Sequence, residues 1–172
     1  ERSVLFLRNY LSDKPFTKNE IETCANFIRC TIQNFSPRLL SFSSKKLRLL
    51  GCIVGSADLL AQMADRYYLE ALSLRHEELK AADVNYTHCS VLDLMINTSS
   101  FYQNTILMRL IHTFSNTSSS MQIHFRERYK IDRDLYTENI NKNINYLEEI
   151  IAECENEIEC IRKFLRRKPP VT

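Results

Sequence analysis

Asp58 stands where a helix is expected to bury an apolar side chain. In the stretch from Gly51 to Asp65, and one turn before it, Leu47, Leu50, Val54, Ala57, Asp58 and Ala61 recur at the three- and four-residue steps of one helical face. A charged carboxylate buried without a companion costs several kcal/mol or takes up a proton, so the pattern calls for a cation, an arginine or a metal beside it. The other groups able to ligate a metal are scattered. His76, His88, His112 and His124 all follow Asp58, and no His-Asp doublet occurs. The six cysteines, Cys24, Cys30, Cys52, Cys89, Cys154 and Cys160, include no Cys-x-x-Cys pair, which argues against a zinc ribbon or a thioredoxin-like site. Cys24 with Cys30, and Cys154 with Cys160, fall on predicted helices. Six helical residues hold their α-carbons about 9 Å apart, too far for a bridge. Reduced and mostly buried thiols in a cytoplasmic protein are therefore expected. Sequons at Asn34, Asn85, Asn97 and Asn116 arise readily by chance in a chain rich in Asn, Ser and Thr.

The segment Leu50-Gly-x-Ile-x-Gly-x-Ala-Asp-Leu-Leu-x-Gln-Met-Ala-Asp-Arg-x-Tyr-Leu-Glu-x-Leu72 resembles the distal part of bacterial HD-domain proteins, a family of metal-dependent phosphohydrolase-like folds. Glu1-Arg-Ser3, Tyr10-Leu11 and Ile28-Arg-Cys-Thr31 are similar to the helices before that segment. Phe101-Tyr102, Arg109-Leu110, Asp132-Arg-Asp-Leu-Tyr136 and Asn143-Ile144 are similar to the part after it, so the likeness covers nearly the whole chain. The family binds metal through an early histidine, a His-Asp doublet and a late aspartate, and Asp58 alone matches, as the late aspartate. The resemblance implies that Asp58 is a metal ligand, that Gln62 lines the pocket one turn later, that Arg29 meets a phosphate and that Thr31 supports the metal shell. Ordinary helix-helix hydrogen bonding explains Gln62, Arg29 and Thr31 as well, and a structural hydrogen bond is the other reading of Asp58. The cofactor implied is a divalent ion (Mn, Fe, Mg, Ni or Zn), and the substrate a small phosphorylated molecule. In the family a histidine usually precedes the matching Glu-x-Ser, so the chain is expected to be the C-terminal part of a longer protein and inactive alone.

Positioning these residues falls to helices. Two glycines and four prolines in 172 residues favour an all-α fold: a compact multi-helix array of the HD-domain type, with a long amphipathic C-terminal helix. One domain is expected, with residues 1–82 as an HD-like core and 83–172 as a helical extension. A first helix is predicted over about Arg2 to Leu11. Thr17 and Glu20 make a capping box, with Phe16 and Ile21 as a staple, for a helix running to about Asn34 with Ile21, Cys24, Ala25, Ile28, Thr31 and Ile32 inward. Ser43 or Ser44 opens the Asp58 helix. Gly51 and Gly55, four apart, let another helix come close, and Asp65 caps the helix from Arg66 to about Ala82. A polar turn at 83–85, helices around 91–96 and 101–111, a break at Asn116–Ser120 marked for local disorder, and a segment over Met121–Tyr129 follow. Ile140, Ile144, Leu147, Ile151, Cys154, Ile158, Ile161 and Leu165 step by four and three along one helix from about Asp134 to Arg166. That seam would dock on its own molecule or, as the alternative, pair with a second copy. Arg162, Lys163 and the basic residues to Lys168 suit the helix's negative end, and without interleaved aromatics they do not point to nucleic acid.

With a net charge of +2, no polyanionic partner dominates, and no unbroken apolar run reaches membrane-spanning length. Three functions stay open: part of an HD-type phosphohydrolase, a non-catalytic HD-like module for regulation or assembly, and a secreted helical-bundle ligand.

Overall fold

The computed structural model describes residues 1–32, 35–82 and 89–166. Helices α1 (Arg2–Leu11), α2 (Lys18–Cys30), α3 (Lys45–Ala64), α4 (Tyr68–Ala82), α5 (Val91–Ile96), α6 (Thr98–Phe101), α7 (Met121–Tyr129), α8 (Leu135–Glu153) and α9 (Ile158–Phe164) follow one another, with no strand among the described residues. Tight turns at Pro37–Leu39 and Thr117–Ser120, and wide π turns at Tyr102–Ile106 and Arg109–Thr113, lie between them. The protein is an all-α, multi-helix array. The expected turn at 83–85 lies outside the described residues.

Local signals set most of the helix starts. Thr17 accepts from the Glu20 amide while Glu20 returns a bond to Thr17, the capping box read from the sequence, although Phe16 of the proposed staple is exposed. The Ser44 hydroxyl accepts from the Leu47 amide at the head of α3, and Asp65 accepts from the Tyr67 amide in the turn before α4. Ser90 and Asp93 form a second capping box on α5. The α2 helix stops at Cys30, with Thr31 as its C-cap, instead of continuing to Asn34, which is outside the described residues. Here a tertiary contact decides: the Arg109 guanidinium donates to the carbonyls of Ile32 at 2.6 Å and Phe35 at 3.0 Å, taking up backbone acceptors beyond the helix end.

The described chain divides into two interleaved compact units rather than along the expected 1–82 and 83–172 boundary. One comprises Glu1–Leu60 with Ile106–Arg133, the other Ala61–Thr105 with the chain from Asp134 on, and α3 runs through both. In the first unit α2 buries Ala25, Asn26 and Cys30, while Ile32, expected inward, is 41% exposed. The glycine pair does what its spacing implied. A Cβ on Gly55 would lie 2.6 Å from the Phe114 ring and 2.8 Å from the Cys30 carbonyl, and one on Gly51 3.0 Å from both Cys30 Sγ and Phe42. That close seating turns α3 over relative to the predicted stripe. Cys52, Gly55, Ser56 and Leu60 are buried, whereas Leu50, Val54 and Ala61, expected inward, are exposed together with Ile53. Around Gly51–Ser56 small residues face the core, because only they admit Phe114 and the end of α2. The Asn116–Ser120 break is ordered: Ser56 and Thr117 share a buried hydrogen bond of 2.8 Å, so Thr117 belongs to the core.

In the second unit Leu69, Leu72, Met95, Leu147, Ile150, Cys154 and Ile161 form one apolar cluster, which takes in Leu147, Cys154 and Ile161 of the C-terminal seam. Asn143 fixes α8 by donating to the carbonyls of Met63 and Asp65 at 2.9 and 2.8 Å. The expected single helix to Arg166 is two. It breaks at Glu155 and Asn156, both with positive φ, and Cys154 and Cys160 are joined by a disulfide across the break at a Cα separation of 5.6 Å. In an unbroken helix the two thiols could not meet, and the break supplies the missing approach. Cys24, Cys30, Cys52 and Cys89 are free.

The α3 helix also meets the length and composition of a membrane span, with mean hydropathy 1.4 over a window that is 33% buried. Two lysines and an arginine in its first turn and a packed small-residue face fit a core helix equally well.

Candidate functional site

On the α3 wheel Asp58 sits at the flank between the packed small-residue face and the bare apolar one, and is half-buried rather than inward. Its carboxylate acts through space on Arg109, whose side chain lies 4.9 Å over the Phe114 ring. Burial holds the Arg109 guanidinium below its ordinary pKa, with Cys30 and Asp58 opposing. Arg109 Nε is buried without a hydrogen-bond partner. The arginine is thus a structural clamp, holding the chain beyond α2 with two bonds and supplying positive charge near Asp58. Sequence reasoning gave Arg109 no such role. An arginine among Leu107, Met108, Leu110 and Ile111 was the only signal of it.

Of the other expected site residues, Arg29 and Thr31 are engaged in bonds of their own. Arg29 is held by Glu22 at 2.8 Å, Glu1 at 3.2 Å and the Asn26 side chain at 2.9 Å. It neutralises two carboxylates, and it lowers the pKa of both. Thr31 closes α2 by donating to the Ile28 carbonyl at 2.8 Å. Gln62 is exposed and falls in the second unit. For Arg29 and Thr31 the ordinary helix-supporting reading describes the bonds they make. Among the described residues no group of three or more His, Cys, Asp or Glu side chains is placed to hold a metal ion. Asp58 alone does not make a metal site, so no reaction step is derived through one.

A second cluster, not foreseen from the sequence, lies at the other end of α3. Arg38 from the Pro37–Leu39 turn, Lys45 and Arg48 from α3, and Thr113 and Ser115 line an open hollow of about 350 Å³ with Pro37, Leu49 and Cys52. An adjoining hollow of about 450 Å³ shares Lys45 and Arg48 and adds Phe42 and Ser44. The Arg38 guanidinium donates to the His112 carbonyl at 3.4 Å. The buried Cys52 thiol forms part of the wall. Burial pushes its pKa up, while Arg48 and Arg38 draw it down.

Comparison with protein families, with curated proteins and with solved structures finds no match to this chain.

Proposed function

We propose that the chain is the distal part of an HD-type, metal-dependent phosphohydrolase acting on a phosphate ester, to which it contributes Asp58 while the histidines and the His-Asp doublet come from helices outside residues 1–172. One observation carries this reading. The face of α3 on whose edge Asp58 lies is apolar yet bare, with Leu50 40%, Ile53 37% and Val54 38% exposed. Bare aliphatics in a row on a helix otherwise packed into a core are a surface that another helix would cover. A helix laid there would bring its own side chains beside Asp58. In the family the bound metal supplies a hydroxide and neutralises phosphoryl charge. The part assigned to this chain is to hold a carboxylate at the rim and to keep Arg109 close enough to temper its charge. A cytoplasmic location goes with this reading. In the full-length protein, metal analysis should find a first-row divalent ion that Asp58→Asn largely loses, together with hydrolysis of bis-p-nitrophenyl phosphate. Equal metal content in the two proteins overturns the assignment.

The Cys154–Cys160 bridge favours a second reading, a secreted helical-bundle ligand, because disulfides persist chiefly in oxidising compartments. The sequon asparagines Asn97 and Asn116 are both exposed. Protein from its native source, alkylated without reduction, decides between the two: four modified cysteines and glycan on either asparagine support secretion, and six modified cysteines with bare asparagines exclude it.

A further inference from the structure

We propose that the hollow walled by Arg38, Lys45 and Arg48 binds the phosphate of a soluble organic phosphate, whose apolar part rests on Leu49 and Pro37. Three cations converge on one concavity of about 350 Å³, and among the described residues none of them is in an ion pair with a carboxylate. Like charges gathered without a counter-charge repel one another, and a bound anion relieves that repulsion. Arg38 is braced by a single bond to the His112 carbonyl, which leaves most of its five-donor fork available. Thr113 and Ser115 of the same lining carry hydroxyls, which are uncharged donors.

The apolar share of the lining excludes bare phosphate as the best fit. Leu49 is 47% exposed at the rim, and the neighbouring hollow, divided from the first by Lys45 and Arg48, offers Phe42. A molecule carrying its phosphate on the Lys45–Arg48 divide can lay a ring or an alkyl group into either side. Both volumes fall within the span of about 300–1,000 Å³ usual for small-ligand sites. The site is independent of the metal reading, since Arg48 and Asp58 are ten residues apart on α3, roughly 15 Å along its axis.

Titrating the full-length protein with phenyl phosphate, and separately with inorganic phosphate, while following backbone amide resonances tests this. Saturable shifts confined to residues 37–52 and 113–115 are expected, with phenyl phosphate the tighter ligand. Arg48→Gln and Arg38→Gln should each weaken phenyl phosphate about tenfold. Lys46→Gln, which removes an equal charge from a neighbour outside the lining, should leave it within twofold, and thermal melts of all three variants verify that they fold. Shifts scattered over the surface, or an equal loss in Lys46→Gln, would reduce the effect to general charge attraction and overturn the proposal. A protein that sediments with vesicles containing phosphatidylinositol 4-phosphate yet shows no saturable response to soluble phosphates overturns it in favour of a lipid headgroup.

Discussion

Gly55 shows how one missing methyl group sets the orientation of a whole helix. Replacing a helical glycine by alanine gains about 1 kcal/mol of backbone propensity. At Gly55 the new Cβ would meet a backbone carbonyl at 2.8 Å and a fully buried ring at 2.6 Å, neither of which can yield cheaply. Overpacking of that kind costs about 1–3 kcal/mol. Gly55→Ala is therefore expected to lower stability by about 1 kcal/mol net, whereas Gly51→Ala, whose contacts are the ends of two side chains, should be near neutral; urea unfolding of the two variants compares them. Two pH effects belong to single side chains as well. Burial raises the Cys30 thiol from 9.0 to about 11, so the folded state favours the neutral thiol more than the unfolded state does. That contribution is intact below pH 9 and fades as pH rises toward 11. A fall in melting temperature over that window, removed by Cys30→Ala in proportion to the variant's own melting point, checks it. Glu22 behaves in the opposite sense. Arg29 and Arg8 hold its carboxyl below 4.5, so its contribution is present at neutral pH and is lost as pH falls below 4.5. The carboxylates that Arg29 meets are half-exposed or more and therefore screened, so Arg29→Ala should cost under about 1 kcal/mol at pH 7, and the difference from the parent protein should shrink in melts at pH 3.

At the scale of elements, the C-terminal seam separates what the sequence can specify from what it cannot. Its period placed Ile140, Ile144, Leu147, Cys154 and Ile161 correctly, since all five are buried. Ile151, Ile158 and Leu165 lie only at the edge of the cluster, and Ile150 takes a core place the pattern had not assigned. Ile158 and Leu165 follow the break at Glu155 and Asn156, which accounts for their place, while nothing in the break explains the exchange of Ile151 for Ile150 before it. Two left-handed residues shift the register of everything after them, and neither is the glycine that usually announces such a turn. Accordingly, Ile150→Ala should cost about 2–4 kcal/mol and Ile158→Ala clearly less, the reverse of what the unbroken seam implies, as denaturant melts of the pair will measure. The starts of α2 and α3 were legible because each is written in adjacent residues, Thr17 with Glu20 and Ser44 before Leu47. The end of α2 and the facing of α3 were not, because they depend on Arg109 and Phe114, more than fifty residues downstream. The same limit held at the candidate site. Asp58 was visible as a polar interruption of an apolar helix, but the basic hollow draws on three separated segments whose side chains show no common spacing.

On the scale of the whole molecule, α3 is the element both units share, and it carries the features most in need of an explanation. Its first half packs through Gly51, Cys52, Gly55 and Ser56 and its second half through Leu60 and Met63, while Leu50, Ile53 and Val54 stay partly exposed. Covering what is still exposed of Leu50, Ile53 and Val54, 37–40% of each, would contribute about 0.5–1 kcal/mol apiece. Folding of the chain uses the Gly51 and Gly55 side of α3 for close approach and leaves the Leu50, Ile53 and Val54 side partly open. If that side is where metal-bearing helices dock, charge placed there will damage assembly but not folding. The double substitution Leu50→Glu with Val54→Glu should therefore leave the melt of residues 1–172 within about 0.5 kcal/mol of the parent. In the full-length protein the same pair should abolish metal retention as thoroughly as Asp58→Asn, because two carboxylates under a docked helix are buried without partners. Loss of folding in the isolated chain would show that the face is covered from within. Normal folding together with full metal retention would show that no ligand-bearing helix packs against it.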